Sequence, residues 1–191
     1  AEPSEKMPTI KTGETGTVTI HKYTKGTAEG TKGTGKVETS LPTGAEPLKG
    51  AGFTLYKVVN EAGMEAYYNA NPTSLPAVNS DGTIKSEYAS GATAQVITDN
   101  NGIATFSGLD LGFYVVIETT VPDAVTTAMD PFLLSVPMTT ADGTDWLYDI
   151  HVYPKNKTGY GEVTLEKKGV GDAPLPGATF ALQKKDATGE W

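Results

Sequence analysis

The chain has 191 residues, a net charge of −8 and a sequence pI near 4.7, so the clustered cations that recruit nucleic acid or an anionic membrane are not expected. It has no arginine and no cysteine, which excludes bidentate guanidinium clamps, disulfides and thiolate metal sites. With only two histidines, His21 and His151, a histidine-based metal centre is not expected either, and no cofactor is implied. Twenty-two glycines and twelve prolines punctuate short segments rich in Thr, Val, Tyr and Ile, which favours an all-β protein with one sizeable core and a fraction of another.

In chain order, residues 1–15 are polar and without period, and read as a flexible N-terminal arm or a loosely docked edge. The stretch GTVTIHKY from Gly16 alternates, setting Val18, Ile20 and Lys22 on one face and Thr17, Thr19 and His21 on the other. A Gly/Thr/Lys-rich loop runs from Thr24 to about Thr39, and AGFTLYKVV (Ala51 to Val59) is a second strand. A polar insertion follows from Asn60 to Gly91, with a short helix around Glu61 to Asn69 that Asn71-Pro72 would end. QVITDNNGIATF reads as a β-hairpin turning at Asp99 to Gly102, and GFYVVIET from Gly112 as a strand broken at Pro122-Asp123. FLLSVPM from Phe132 is a further strand, and Ala141 to Thr144 turns the chain into WLYDIHVYPKN, Trp146 to Asn156. Seven or so short strands with frequent turns suggest a β-sandwich. No apolar run is long enough to span a bilayer and no leader is visible, as expected of a mature secreted chain.

An internal repeat sets the expected domain boundary. PLKGAGFTLYK (Pro47 to Lys57) recurs as PLPGATFALQK (Pro174 to Lys184), and GTVTIHK from Gly16 is echoed by GEVTLEK from Gly161. The expectation is a sandwich over 16–156, a linker at 157–160, and at 161–191 the incomplete start of a second, similar domain of a longer protein.

Three polar groups are aimed at the core of the first domain. Lys22 shares its face with Val18 and Ile20; Glu118 shares a face with Tyr114 and Val116; Asn156 falls on the face of Ile150 and Val152. An amine, a carboxyl and a carboxamide are the ingredients of an intramolecular isopeptide bond. Desolvation favours a neutral amine beside a protonated acid. Lys22 would attack the Asn156 carbonyl, Glu118 would shuttle protons, and ammonia would leave. Two plainer readings compete. Lys22 and Glu118 could form only a buried salt bridge, with Asn156 capping a turn. Alternatively, Glu118 could be solvated at a strand end, leaving Phe113, Val115 and Ile117 to face the core. On the final strand Asp149, His151, Tyr153 and Lys155 point away from the core, onto a wet face.

Two family resemblances attach to these residues. TDNNGIATFSGLDLGFYVVIETTVPDA resembles the second half of Cna-B-type, immunoglobulin-like isopeptide domains, whose pattern is Tyr-x-Leu-x-Glu-Thr-x-Ala-Pro. Tyr114, Glu118, Thr119 and Pro122 match it, Val116 and Val121 replace the Leu and Ala, and Asp123-Ala124-Val125 departs from the usual Gly-Tyr. Tyr153, Pro154, Lys155 and Asn156, with the preceding WLYDIHV, resemble the pilin motif of backbone subunits of Gram-positive sortase-assembled pili. That resemblance implies an extracellular, cell-wall-anchored pilus shaft. In it Lys155 is the amine that a pilin-type sortase joins to the sorting-signal threonine of the next identical subunit, with minor pilins as further partners. The chain would be a substrate and not an enzyme. The alternative is an adhesive tip or minor pilin whose insertion presents Tyr67, Tyr68 and Tyr88 to a host glycan or matrix protein. A carbohydrate-active enzyme is the weakest class, since no pattern among the 23 acids nominates a catalytic pair. Leu41-Pro42-Thr43-Gly44 is too short for a sorting signal, and Asp99 to Gly102 lacks the remaining ligands of a calcium loop; both read as turns.

Overall fold

The computed structural model describes residues 9–24, 33–70, 77–122, 125, 128–155, 167–168, 177 and 179–181. The strands are β1 (Thr15–His21), β2 (Gly52–Asn60), β3 (Val96–Ile97), β4 (Ile103–Asp110), β5 (Gly112–Thr120), β6 (Phe132–Val136), β7 (Met138–Thr139), β8 (Trp146–Leu147) and β9 (Asp149–Val152). They form a three-stranded sheet β4-β1-β9, a four-stranded sheet β3-β2-β5-β6 and a small pair β7-β8. The architecture is an all-β, immunoglobulin-like sandwich. β1 lies at the centre of its sheet, antiparallel to β4 and parallel to β9. The first strand of the domain is therefore tied directly to the strand that leads into Tyr153 to Lys155.

Alternation on β1 does what the sequence implies. Val18 and Ile20 are fully buried and meet Ile150 of β9 and Ala104 and Phe106 of β4 in one core with Phe53, Leu55, Tyr114, Val116 and Leu134. Each large apolar side chain fully removed from water contributes about 2–3 kcal/mol. β5 is buried on both faces. Tyr114 and Val116 point into the sandwich, while Val115 and Ile117 form a second cluster with Ala77, covered by Val78, Ile84 and Tyr88 of the insertion. Glu118, opposite Phe53 in the register, is only 5% exposed. A double-sided strand removes the choice between its two faces, and Glu118 is not solvated.

The insertion starts on a capped turn: the Asn60 side chain accepts from the Gly63 N–H at 3.0 Å. A 3₁₀ turn, Glu61–Gly63, leads into α1, Met64–Ala70, near the bounds read from sequence. Asn71 and Pro72 lie outside the described residues. Tyr67 packs against Phe113, with ring centroids 4.9 Å apart, and Tyr88 packs on the second cluster. Of the three insertion tyrosines only Tyr68, 75% exposed, is presented outward.

The structure departs from the sequence reading in two places. QVITDNNGIATF is not a hairpin, because β3 pairs with β2 and β4 with β1, in different sheets. The turn itself is real: the Asp99 carboxylate accepts from the N–H groups of Asn101 and Ile103 at 2.8 and 2.9 Å. It carries the chain across the sandwich. Buried Thr98 anchors the crossing by donating to the Leu48 carbonyl and accepting from the Ala51 N–H. Nor is the outer face of the final strand simply wet. Beside it on β1, Thr19 and His21 are each 9% exposed. His151 N–H donates to the Gly35 carbonyl at 2.8 Å, and Glu38 N–H donates to the Tyr153 hydroxyl at 2.9 Å.

Ahead of β1, Ile10 packs on the core and Lys11 N–H donates to the Tyr148 hydroxyl at 2.8 Å. Residues 1–8 of the expected arm lie outside the described residues. The chain divides into two compact units, Ala1–Gly159 and Tyr160–Trp191. The expected linker and most of the repeat copy at 161–191 lie outside the described residues. Within the second unit Phe180, the counterpart of buried Phe53, is 52% exposed.

Candidate functional site

Lys22 follows β1 directly, and its side chain is fully buried. Its backbone is held from two sides: its N–H donates to the Gly102 carbonyl at 2.7 Å, and its carbonyl accepts from Leu48 N–H at 2.9 Å. Gly102, at φ +72°, lets the turn approach so closely; a Cβ there would collide with the Lys22 carbonyl oxygen. The Lys22 ammonium nitrogen lies 3.7 Å from Glu118 Oε2, both side chains being inaccessible to water, and 5.6 Å from the centre of the Phe53 ring. At 3.7 Å this is an ion-pair contact rather than a hydrogen bond. Burial pushes the Lys22 amine down to about 8, against the raising effect of the Glu118 charge. The lowered value favours the neutral, nucleophilic form of the amine relative to an exposed lysine.

Glu118 is brought to Lys22 by β5 from the facing sheet. Its Oε2 also accepts a 2.8 Å hydrogen bond from the Met129 backbone N–H, while Oε1 is buried without a hydrogen-bond partner among the described residues. Such a carboxyl retains the capacity to donate to, or take a proton from, a third group. The third member read from sequence, Asn156, lies outside the described residues. The structure thus brings together two of the three candidates, Lys22 and Glu118.

The second constellation is on the outside. Lys155 is exposed, and Tyr153 and Pro154 are half-buried. Together with Val152 they form one wall of a cleft of about 290 Å³ whose other wall is Met129, Asp130 and Phe132. Tyr153 is fixed by more than its hydroxyl. Its ring stacks on His21, with centroids 4.5 Å apart and planes 11° apart, and Tyr23 follows at 6.5 Å. His21 Nε2 and His151 Nδ1 share a hydrogen bond of 2.9 Å, and Asp149 lies 3.5 Å from the other nitrogen of His151. Burial, and then the neighbouring His151, hold His21 below its ordinary value. Sequence reasoning missed this histidine pair and the Met129 contact. Alternation set both histidines outward, but only the parallel register of β1 with β9 brings them together.

These features define a sandwich that carries a buried Lys–Glu pair inside and an exposed lysine beside an anchored tyrosine outside. A family model, Gram-positive pilin subunit D1, N-terminal domain, matches residues 13–157, and the chain belongs to this family of structural pilus subunits. It is similar to the fimbrial subunit type 1 of Actinomyces viscosus, at 33% identity over 85% of this chain and 29% of the relative. The full-length major pilin SpaD of Corynebacterium diphtheriae has 31% identity and a TM-score of 0.52, covering 78% of this chain and 33% of that one. The solution structure of the C. diphtheriae SpaA pilin–signal peptide complex has 28% identity and a TM-score of 0.56, covering 77% of this chain and all of that one. The chain spans less than a third of the length of the curated relatives it matches.

Proposed function

We propose that this chain is part of a shaft subunit of a covalent surface pilus anchored to the cell wall, and that Lys155 is the amine through which subunits are joined. The observation that carries this reading is the placement of Lys155. It is exposed at the end of a strand fixed by parallel pairing to β1, by the stacked Tyr153 ring and by the Glu38 N–H. A pilin-type sortase would hold the neighbouring subunit as a thioester. The Lys155 amine would attack the thioester carbonyl, an amide would form, and the sortase cysteine would leave as the thiol. A cleft lined by Lys155 lies beside the amine, which supports an approach by that acyl group. The C. diphtheriae SpaA pilin forms a complex with a signal peptide, which supports assigning the same kind of partner here. Minor pilins would join the same polymer.

Inside the domain, the reading extends to a Lys22–Asn156 isopeptide bond. The neutral Lys22 amine attacks the Asn156 side-chain carbonyl, Glu118 moves the proton, and ammonia departs. What supports it is the water-free Lys22–Glu118 pair and the depressed lysine. Residues 161–191 would begin a second sandwich of the same kind, on the strength of the repeat. The adhesive reading loses two of its three stacking tyrosines, since Tyr67 and Tyr88 pack the insertion onto the sheet.

The test is Lys155→Ala in cells that carry the matching sortase. Polymer ladders of high mass are expected to vanish while monomer is still secreted; a ladder of ordinary length would refute Lys155 as the acceptor.

A further inference from the structure

One hydrogen bond links the surroundings of the two lysines. Met129 and Asp130 form the wall of the cleft that faces Lys155. Both lie between β5 and β6, and neither is in a strand. Met129 N–H is instead held by Glu118 Oε2 at 2.8 Å, in a buried contact, with the Met129 side chain 6% exposed and packed in the main core. A buried N–H that loses its acceptor must find another or move toward water. We infer that Glu118 is a positioning residue for the Lys155 site: by holding the Met129 N–H it sets the wall of the cleft opposite the acceptor lysine, independently of its part in any internal bond. The inference rests on the reading of Lys155 as the acceptor.

The chemistry separates the two jobs of Glu118. Accepting from Met129 N–H requires only an oxygen lone pair, which a glutamine carbonyl also has. Shuttling a proton requires an acid. Glu118→Gln therefore keeps the first role and loses the second, whereas Glu118→Met, of similar length, loses both. Any internal bond is absent from both variants, and in a Lys22→Met background, where the buried amine beside residue 118 is gone as well, a difference between them reports on the hydrogen bond to Met129 N–H.

The experiment measures sortase-catalysed transfer of a sorting-motif peptide onto Lys155 of the whole chain, read by peptide mass, together with hydrogen exchange of the Met129 amide. In Glu118→Gln we expect transfer within about twofold of the parent and a slow Met129 amide. In Glu118→Met we expect the amide to exchange at least tenfold faster. Transfer there should fall about tenfold, through a higher KM for the acceptor chain rather than a lower kcat. Equal transfer in the two variants overturns the inference, as does fast Met129 exchange with undiminished transfer. Should Glu118→Met not fold, Glu118→Gln still decides: slow exchange with a tenfold loss of transfer means that the acid, not the wall, is what matters. Peptide found on lysines other than Lys155 in the parent chain would instead sink the acceptor reading itself.

Discussion

Lys22 and Lys155 carry the same side chain into opposite environments, and the contrast explains why one protein can present two lysines for different chemistry. Lys22 has no exposed surface; burial brings its amine down to about 8, and the nearest carboxylate shares its dry pocket. Whatever it attacks must already be beside it, because nothing larger can reach it. Lys155 is exposed beside a cleft. On the proposed reading the interior lysine would be activated by its surroundings, whereas the exterior one would only be positioned, with the activation on the acyl group that an external catalyst delivers.

The contrast breaks most visibly at Lys22. The intact mass of the unaltered chain is expected to fall short of the sequence mass by one ammonia, and Lys22→Ala to restore the full mass. A cross-link that closes most of the domain into one loop contributes about 4–5 kcal/mol on a chain-entropy estimate. Thermal or urea unfolding of Lys22→Ala should therefore show a loss of that order. A full mass for the unaltered chain would remove the internal bond and leave Lys22 and Glu118 as a buried ion pair.

A smaller effect is expected from Gly102→Ala, which combines a positive φ with a collision against the Lys22 carbonyl. We expect a loss of about 2 kcal/mol, and a slower approach to the cross-linked mass, since the turn holds Lys22 in place. An alanine variant as stable as the parent would show that the turn is not what fixes Lys22. Smaller again is Tyr153→Phe, which removes the acceptor for Glu38 N–H. A loss of about 1 kcal/mol or less, with faster exchange of the Glu38 amide, would show that residues 33–38 are fastened to the lysine-bearing strand by that contact.

The least effect, and the one confined to the exterior site, is its pH dependence. His21 is held below its ordinary value of 6.5 by burial and by His151, and it faces His151 and Tyr153, with Tyr23 beyond Tyr153 and Asp149 beyond His151. The unfolded chain therefore takes up its proton first as pH falls. The stability contributed by the neutral ring is complete above about 6.5 and is lost as pH drops toward the lowered folded value. The urea midpoint should be lower at pH 5 than at pH 7.5, and His21→Gln should flatten that difference. A midpoint that does not move between these pH values would show that the histidine pair bears no proton-linked strain.

How much of this was legible depended on the range of each interaction. Lys22 and Glu118 were readable as inward-facing because period-two alternation is a property of a few neighbouring residues, and Val18, Ile20, Tyr114 and Val116 mark the core side. The motif around Lys155 was readable from its resemblance to the pilin motif, while alternation set its lysine on the outer face. The hairpin failed because Asp99 to Gly102 has turn chemistry, but turn chemistry does not say which strands the two arms will join. The outer face of the final strand was read as wet because residues 33–38, which bond to His151 and Tyr153, show no period.

By itself, then, the order of residues determined an all-β chain, the side on which each polar group of the strands lies, and the pilin motif with its lysine. The tertiary structure alone decided that Lys22 and Glu118 meet, that β9 runs parallel beside β1, that His21 stacks on Tyr153, and that Met129 answers to Glu118. The first group follows from local backbone geometry. The second depends on contacts between segments distant along the chain, which form only when the two sheets close over a common core.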